Sequence, residues 1–382
     1  MKRFVYADNA ATTKLDLEAF ETMKPFLLDN FANASQPYSF SRKAKLALRE
    51  AKEIIASCIN CEPEEIYITS GGTESDNWAI KGITEENYHK RAIITSAFEH
   101  HAILNACKFV EQKGYPVAYL LPNSTGHITP ESLRSIITKN TLLVSVMMAN
   151  NEIGTVQNVQ ALAAIAHEHG ALFHTDAVQA VGHIKIDVES MGIDMLSASA
   201  HKFNGPKGVG FLYISKDITG HHSLAVFHHG GQQENGLRAG TEDIASIVAM
   251  AVALKNNCSS IDNNMRLLNK FETMLLNGLN EKGVNFSING VAPKLPGLLS
   301  MVFDDIEGET LLHRLDLLGV SVSTGAACDS QNTVISHVLQ AIQLSEEKSA
   351  NTIRISLGKY KTEEDIHYSG DAIVKVCSHL CV

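Results

Sequence analysis

Two short segments of the chain contain residues that could hold a phosphate and a heteroaromatic ring. In TSGGTESDN, Gly71, Gly72 and Thr73 follow an apolar run and precede a helical pattern. The N–H groups of a glycine turn at a helix N-terminus bind phosphate, although the same residues are also typical of ordinary helix capping. In HTDAVQ, Asp176 ends another apolar run, and Gln179 follows three residues later. A carboxylate at this place could keep a ring nitrogen protonated, or it could cap the next helix.

Two further segments contain candidate nucleophiles. In SASAHKFNGPKG, Lys202 follows an apolar run next to Ser199 and His201. A lysine whose pKa is lowered by burial can form a Schiff base, whereas a solvated loop lysine is the plainer interpretation, and Lys207 is the lower-ranked candidate. Cys328 lies among small polar residues in SVSTGAACDSQNTV. An accessible thiol in such a loop can become a reactive thiolate, and a buried thiol would be unusual there.

A histidine and an amide-carboxylate pair follow two other apolar runs. His100 comes directly after RAIITSAFE, where its ring could stack on a planar cofactor and exchange protons, and Asn151 and Glu152 follow TLLVSVMMA. The CxxC pair Cys58 and Cys61 closes a helical segment and has no second pair, so we expect it to be structural. No HExxH motif occurs among the 17 histidines, so no metal site is expected.

Seven apolar, β-branched runs alternate with helical segments and would position these residues. The runs are EEIYITS, RAIITS, VAYLLP, TLLVSVMMA, ALFHTD, DMLSAS and GVGFLYIS. Strands that alternate with helices are typical of a mainly parallel α/β sheet. Ligands of such sheets bind beyond the C-terminal ends of the strands, so the candidate residues are expected to meet at one edge.

The alternation of strands and helices predicts two domains. It continues without a linker over residues 14–257, which we assign to a large domain. The polar stretch NNCSSIDNN then leads into a long helix, two strands and a terminal helix. Residues 1–13 and 258–382 are therefore assigned to a smaller α+β domain, which would carry a mobile loop with Cys328 at about 321–334.

Composition excludes several classes of protein. A chain of 382 residues is long enough for two or three domains, and its net charge of −10 disfavours binding to nucleic acids and anionic membranes. The N-terminus has no apolar signal segment, and no run reaches the roughly 18 apolar residues of a membrane span. Seven scattered cysteines fit reduced thiols better than a disulfide framework. A soluble, cytoplasmic protein is expected.

Taken in order, these motifs resemble those of the cysteine desulfurases of the NifS/IscS type. The resemblance runs from YADNAATT at 6–13, through EHHAIL, NNEIGTVQ and HHGGQQENGLRAGT, to NTIRISLGKYKTEEDI at 351–366, and so covers nearly the whole chain. The family belongs to the class V aminotransferase group and depends on pyridoxal 5'-phosphate. The resemblance therefore implies fold type I, with a large domain around a mainly parallel seven-stranded sheet and a smaller α+β domain.

The resemblance also implies which residues bind the coenzyme. Lys202 would bind it covalently, Asp176 would pair with its ring nitrogen, and His100 would stack on the ring and shuttle protons. Gln179 would bond the phenolic oxygen, and Asn151 would also contact the coenzyme. The phosphate would be bound by Gly72, Thr73, Ser199, His201 and, from the second subunit of an obligate homodimer, Thr241.

For the substrate, the resemblance implies binding of L-cysteine and transfer of its sulfur. Asn151 and Arg354 match positions that receive the amino acid, and a guanidinium suits a carboxylate because it can bind both oxygens. Cys328 would attack the sulfur, which leaves alanine and a persulfide on the protein. The persulfide would then pass to a scaffold or carrier protein of iron–sulfur assembly or of a thiolation pathway.

The chain departs from the family pattern at Tyr38, Ser41, Gln232 and Asn235, all away from the residues assigned to catalysis. Two alternatives to a cysteine desulfurase remain open at this point. One is a selenocysteine lyase or an aminotransferase of the same fold, which would keep the coenzyme. The other is a non-catalytic partner protein in sulfur trafficking.

Overall fold

The computed structural model describes residues 3–87, 91–221, 224–325 and 335–378. In chain order, its strands are β1 (Val5–Tyr6), β2 (Ile66–Thr69), β3 (Ala92–Ser96), β4 (Val117–Leu120), β5 (Thr141–Ser145), β6 (Leu172–Asp176), β7 (Met195–Ser199), β8 (Gly210–Ile214), β9 (Phe286–Asn289), β10 (Leu298–Phe303), β11 (Val320–Ser321) and β12 (Thr352–Ser356). Strands β2 to β8 form one seven-stranded sheet in the order β2-β8-β7-β6-β5-β3-β4. Within it, β8 is antiparallel to both of its neighbours, and the other pairs are parallel. The predicted mainly parallel α/β sheet is confirmed, with its seven strands in the seven apolar runs.

Helices cover both faces of this sheet, and its strands are therefore buried. Every residue of β5, β7 and β8 is buried. The helices in this part of the chain are α1 (Leu17–Leu28), α2 (Arg42–Ile59), α3 (Gly72–Glu86), α4 (His101–Gln112), α5 (Pro130–Ile136), α6 (Val159–Glu168), α7 (Lys216–His221) and α8 (Ile244–Cys258). Helix α2 shows how they pack: Ala47, Ala51, Ile55 and Ile59 recur every four residues and form its buried face.

A second hydrophobic core surrounds a three-stranded antiparallel sheet with the order β12-β10-β9. The helices of this second core are α9 (Ile261–Glu281), α10 (Gly308–Leu317) and α13 (Glu363–Ser378). Two short helices lie between α10 and α13 in the chain: α11 (His337–Ala341), which packs into the main core, and α12 (Glu346–Ala350). Helix α9 is the long helix that the sequence predicts, and Val5 and Ala7 from the N-terminus belong to the same core. The division into two domains at residues 14 and 257 stays a prediction.

No single helix in the described ranges is both long and apolar enough to cross a bilayer. The pair α8 and α9 meets the length and composition requirement only when the two are taken together across a bend of 69°.

The N-terminal segment connects the two cores at the C-terminal edge of the large sheet. Asn9 N donates to Ser356 O at the end of β12. Further along, Thr13 N donates to His201 O, just after β7. Residues between these two points therefore cross the sheet edge at which the predicted site residues end, and they supply carbonyl groups to it.

Candidate active site

A cavity of about 750 Å³ lies at the C-terminal edge of the parallel strands. Asp176 ends β6 and Ser199 ends β7, and both line it. The cavity brings together ten residues predicted from the sequence: Gly72, Thr73, His100, Asn151, Asp176, Gln179, Ser199, His201, Lys202 and Arg354. Thr241 is exposed and is not among the lining residues of this single chain. Cys328 lies outside the described residues.

Lys202 reaches the cavity from a single helical turn that follows β7. Its Nζ donates to Ala10 O at 2.5 Å and to Ala11 O at 2.9 Å, both in the N-terminal segment. Gln179 Nε2 donates to the same Ala10 carbonyl at 2.8 Å. The amine is therefore held at the cavity wall by neutral acceptors. Lys207, the lower-ranked candidate, also borders the cavity, but its side chain is exposed.

Asp176 is a buried carboxylate beside a histidine and a lysine. Its Oδ1 accepts a hydrogen bond from Val178 N at 2.9 Å, and the side chain is 5% exposed. Burial raises the pKa of Asp176, while the positive charges that His100 and Lys202 can carry act in the opposite direction. A positively charged group bound above this carboxylate would favour its ionised form.

Asp76, in the second turn of α3, lies close to Asp176 and was not predicted from the sequence. Atoms of Asp76, His100 and Asp176 that could bind a metal all lie within 4.8 Å of one another. Burial and the negative charge of Asp176 raise the pKa of Asp76 well above its ordinary value. Two carboxylates so close in a buried site do not both ionise, and the positive charge of Lys202 favours ionisation of Asp176. We therefore assign the proton to Asp76 and the charge to Asp176.

A buried histidine lies next to this carboxyl pair, with its Nε2 3.9 Å from Asp76 Oδ1. His174, on β6, shares hydrogen bonds with Ser145 Oγ at 2.9 Å and Ser197 Oγ at 3.0 Å. Burial lowers the pKa of His174 to about 3, so its ring is neutral at pH 7. Because Ser197 also bonds Asp76, a chain of neutral polar groups lies beneath the carboxyl pair.

His100 caps helix α4 and faces the cavity. Its Nδ1 accepts a hydrogen bond from Ala102 N at 3.2 Å, so Nδ1 carries no proton and Nε2 carries it in the neutral ring. Burial lowers the pKa of His100, which favours the neutral form near pH 7. A neutral imidazole at this position can stack on a flat ring and exchange a proton through Nε2.

The glycine turn before α3 forms an open N-terminal cradle. Gly71 has φ of +144°, a conformation that favours glycine, and α3 begins at Gly72. A Cβ on Gly72 would lie 2.5 Å from Val178 Cγ2, so this position has no room for a side chain. The free N–H groups of the first turn and the Thr73 hydroxyl can then meet a phosphate.

An ion pair neutralises an acidic residue at this same turn. Glu74 Oε1 accepts from Arg238 Nε at 2.8 Å, and Glu74 Oε2 accepts from Ser70 N at 2.7 Å. The Arg238 guanidinium and these hydrogen bonds together keep the pKa of Glu74 low in spite of burial. Without Arg238 the Glu74 carboxylate would repel an anion at the helix N-terminus. Local motifs do not predict this pair, since its partners are 164 residues apart.

Arg354, on β12, forms the wall of the cavity opposite the glycine turn. It is 4% exposed, and Nη2 pairs with Asp8 Oδ1 at 2.7 Å while Nη1 donates to Asn151 O at 2.9 Å. Among the described residues, its buried Nε has no hydrogen-bond partner. Arg354 and Asn151 are therefore adjacent, as the sequence predicts for a pair that receives one ligand.

The remaining residues that the sequence singled out lie away from the cavity. Tyr38 and Gln232 are exposed, whereas Ser41 is buried and donates to the carbonyl oxygens of Gln36 and Tyr38. Asn235 has a left-handed backbone conformation with φ of 57°. The pair Cys58 and Cys61 packs at the margin of the main core.

One sheet edge thus gathers a glycine turn, a buried carboxylate, a histidine and a lysine around a cavity. On this fold the arrangement defines a pyridoxal-phosphate enzyme of fold type I. Residues 5–368 match the family described as aminotransferase class-V. The chain belongs to this family and, within it, to the cysteine desulfurases of the NifS/IscS type.

Two relatives and two solved structures illustrate this membership. A protein named cysteine desulfurase IscS from Dictyoglomus turgidum is 44% identical over 382 residues, which cover 100% of this chain and 96% of the relative. Another of that name from Methanosarcina thermophila is 43% identical over 364 residues, 95% of this chain and 89% of the relative. A structure titled NifS-like protein superposes with a TM-score of 0.92 at 36% identity and covers 99% of this chain and 100% of its own. A structure titled SspA in complex with cysteine gives 0.82 at 37% identity and covers 94% and 100%.

Proposed function

We propose that the protein converts L-cysteine to L-alanine and places the sulfur on Cys328 as a persulfide. The carbon–sulfur bond of the substrate breaks, a sulfur–sulfur bond to Cys328 forms, and the hydrogen of the thiol ends on the released alanine, so no outside oxidant or reductant is needed. The observation that carries the proposal is the convergence of Lys202, Asp176, His100 and Gly72 on one cavity.

The described residues fit pyridoxal phosphate at both ends of the molecule. At one end, the close approach of Gly72 to Val178 leaves an anion cradle at the start of α3. At the other end, Asp176 is a buried carboxylate that favours a protonated ring nitrogen. The cavity volume of about 750 Å³ is in the range of small-molecule sites.

When bound, the coenzyme supplies an electron sink for the substrate carbons. Lys202 would bind the coenzyme covalently and afterwards move a proton at the substrate Cα, because its Nζ faces the cavity. Asp176 would hold the proton of the ring nitrogen. His100 would stack on the ring and exchange a proton through Nε2.

The phosphate contacts combine a helix N-terminus with nearby polar side chains. Gly72 and Thr73 would supply the N-terminal donors, and Ser199 and His201 would supply side chains from the end of β7. Burial lowers the pKa of His201 to about 4, so its ring would contribute a neutral hydrogen bond and not a charge. The positive end of helix α3 then provides the attraction for the anion.

Arg354 and Asn151 would bind the substrate carboxylate. Arg354 already lies against Asn151 O and Asp8, which fixes its guanidinium at the cavity wall. Among the described atoms its Nε has no partner, so it is available to an incoming oxygen. The related SspA was solved in complex with cysteine, which supports cysteine as the amino acid bound here.

Cys328 would accept the sulfur. It lies outside the described residues, but it follows Gly325 by three residues, and Gly325 lines the cavity. Three residues of extended chain span about 10 Å. Chain connectivity therefore allows the thiol to reach the cavity that holds Lys202.

The proposal extends to the partners of the reaction. A persulfide on Cys328 would be passed to a scaffold or carrier protein in the cytoplasm, where thiols stay reduced. The protein would act as a homodimer in which Thr241 completes the phosphate site of the other subunit. Thr241 is exposed in the single chain, which leaves it available for such a contact.

A product assay tests the proposed reaction. Purified protein is mixed with L-cysteine and a reductant, and alanine and sulfide are quantified for the parent, Lys202→Ala and Cys328→Ala. We expect equal amounts of both products from the parent, and neither from the two variants. Lys202→Ala should also lose the visible absorbance of the bound coenzyme, while Cys328→Ala and the control Lys207→Ala keep it.

Other results of this assay would point to a different function. Sulfide release by Cys328→Ala at the rate of the parent would contradict transfer through that thiol and favour another coenzyme reaction of the same fold. A colourless parent whose properties do not change on borohydride reduction would favour a non-catalytic partner protein.

A further inference from the structure

Glu152 lies in the cavity wall, and its side chain meets residues on both sides of segment 326–334. Ser336 Oγ donates to Glu152 Oε2 at 2.5 Å. On the other side, a Cβ built on Gly325 would lie 2.4 Å from the same oxygen. Cys328 belongs to the segment between them, which lies outside the described residues. We propose that Glu152 is a positioning residue that keeps Gly325 and Ser336, the described residues on either side of segment 326–334, together at the cavity.

The Ser336 hydroxyl depends on Glu152 because its other bonding capacity is already used. Its oxygen accepts from Val338 N at 3.1 Å and from Leu339 N at 3.3 Å at the start of α11. A hydroxyl has two acceptor lone pairs and one proton, so its proton is the group left for Glu152 Oε2. The same side chain thus caps α11 and attaches it to the carboxylate.

On the upstream side, the contact requires glycine. A real Cβ does not approach another heavy atom to within 2.4 Å, so any side chain at position 325 would displace Glu152. The backbone at Gly325 can therefore lie directly against the carboxylate. Both flanks of the segment consequently share one oxygen atom as a fixed point.

Glu152 is itself held rigidly. Its backbone N–H and that of Ile153 both donate to Asn150 Oδ1, at 2.8 and 3.0 Å. Asn150 Nδ2 donates in turn to Phe98 O at 3.1 Å. The Glu152 side chain is 5% exposed. Burial raises the pKa of Glu152 to about 7, while the Ser336 hydrogen bond and the Arg354 charge act in the opposite direction. A buried acceptor on a fixed turn is suited to hold two chain segments in one geometry.

The helix after the segment is also attached to the site independently of Ser336. His337 Nε2 donates to Glu99 O at 2.8 Å, and Val338 and Leu339 are buried in the main core. Loss of the Glu152 contact would therefore release the chain before α11 while the helix itself stays packed. This separation lets a variant test the contact without unfolding the helix.

The use of this contact rests on the proposed function, in which Cys328 must reach the substrate sulfur. Fixing both ends of a short loop reduces the number of conformations available to it and raises the effective concentration of a group that it carries. Glu152 acts through the chain in this role, so it is distinct from the residues assigned to bind coenzyme or substrate.

Three variants and one matched control test the contact. Glu152→Ala removes the acceptor, Ser336→Ala removes the donor, and Glu152→Gln retains an acceptor oxygen and the shape of the side chain. The control is Ser345→Ala: Ser345 caps the five-residue helix α12 as Ser336 caps the five-residue α11, but it is exposed and does not line the cavity. It reports the effect of losing a serine cap alone.

The first measurement is independent of catalysis. The holoenzyme is treated with iodoacetamide in the absence of cysteine, and alkylation of Cys328 over time is followed by peptide mass spectrometry. Glu152→Ala and Ser336→Ala should raise the alkylation rate severalfold, and the double variant should match either single variant because both remove the same contact. Glu152→Gln and Ser345→Ala should stay near the parent rate.

The second measurement asks whether the sulfur transfer uses the contact. At saturating cysteine, persulfide formation on Cys328 should slow about 10- to 100-fold in Glu152→Ala and Ser336→Ala, with little change in the cysteine concentration that gives half-saturation. Glu152→Gln should recover most of the rate. If Glu152→Ala and Ser336→Ala are alkylated no faster than Ser345→Ala, the positioning role is overturned. Because alkylation does not require catalysis, this result holds even if the parent forms no persulfide. A parent that forms no persulfide would contradict the proposed function separately.

Discussion

At the scale of single residues, the site depends on two carboxyl groups that differ in charge. Asp176 and Asp76 are both buried, but the Lys202 charge favours ionisation of Asp176, whereas the negative charge of Asp176 opposes ionisation of Asp76. Their sequence contexts differ in the same way. Asp176 ends a strand, where a ligand is expected, whereas Asp76 lies inside α3, where a local pattern does not distinguish it from other helical polar residues.

The first prediction compares amide substitutions at these two carboxyl groups. Asp176→Asn removes the negative charge and should lower turnover about 10²- to 10³-fold, because a buried charge opposite the reacting ring is lost. Asp76→Asn replaces a group that is already neutral and should lower turnover only slightly. Steady-state alanine formation at saturating cysteine provides the measurement. Equal losses in the two variants would show that the charge assignment is wrong.

At the scale of secondary-structure elements, strand ends and helix starts bring the site together. β6, β7 and α3 end or begin at the cavity, and their terminal residues became neighbours as the sequence predicts. Asp76, which acts from inside α3, was not predicted. Glu99 and Glu152 lie in loops, and their side chains contact distant segments: Met147 N, after β5, donates to Glu99, and Ser336, before α11, donates to Glu152. No spacing within their own segments indicates these contacts.

The second prediction concerns the start of α3. Gly72→Ala places a methyl group 2.5 Å from Val178 Cγ2, so α3 must shift away from its phosphate position. We expect the affinity for pyridoxal phosphate to fall about tenfold or more, since overpacking of this kind costs about 1–3 kcal/mol. Val178→Ala removes the clashing methyl group, and the double variant should regain most of the affinity. Fluorescence titration of the coenzyme-free protein measures it, and a double variant as weak as Gly72→Ala would argue against the steric explanation.

The third prediction concerns the loop between β3 and α4 and the dependence of stability on pH. Glu99 is fully buried, its Oε1 accepts from Met147 N at 2.9 Å, and burial raises its pKa to about 8 from an ordinary value near 4.5. Between those two pKa values the folded protein retains a proton that the unfolded chain has released. The contribution of this group to the free energy of unfolding is therefore present at acidic pH and is lost as the pH rises through about 8.

Glu99→Gln removes this dependence because the amide does not ionise. The variant should gain at least about 2 °C in Tm relative to the parent when the pH is raised from about 5 to 9. Thermal unfolding followed by circular dichroism at a series of pH values gives the comparison. A difference in Tm that stays constant across the series would contradict the raised pKa.

At the scale of the whole molecule, a group of apolar side chains around α1 is open to solvent. Leu28 is 72% exposed and Phe31 is 67% exposed, and the Phe31 and Phe40 rings lie 5.4 Å apart. Contiguous exposed apolar surface usually marks a protein interface. This surface supports the proposed homodimer. A contact between two copies of one chain leaves no spacing pattern within the sequence, so only the resemblance to the family suggested it.

The fourth prediction tests this surface. Phe31→Asp should shift the protein from dimer to monomer in light scattering after size-exclusion chromatography. It should also weaken coenzyme binding, because Thr241 of the partner would no longer reach the phosphate site. Leu121→Asp is a matched control, since Leu121 is 64% exposed and follows the edge strand β4. Two variants with the same mass as the parent would argue against an interface at this surface.

The central claim is that Cys328 takes the substrate sulfur at the cavity that holds Lys202. The most direct measurement is a single turnover without reductant, with L-cysteine in slight excess over protein, followed by alanine quantification and by mass spectrometry of the peptide that contains Cys328. We predict one alanine and one added sulfur atom per subunit, with the sulfur on Cys328. Alanine formation with no added mass on that peptide, or with the sulfur on another cysteine, would contradict the account.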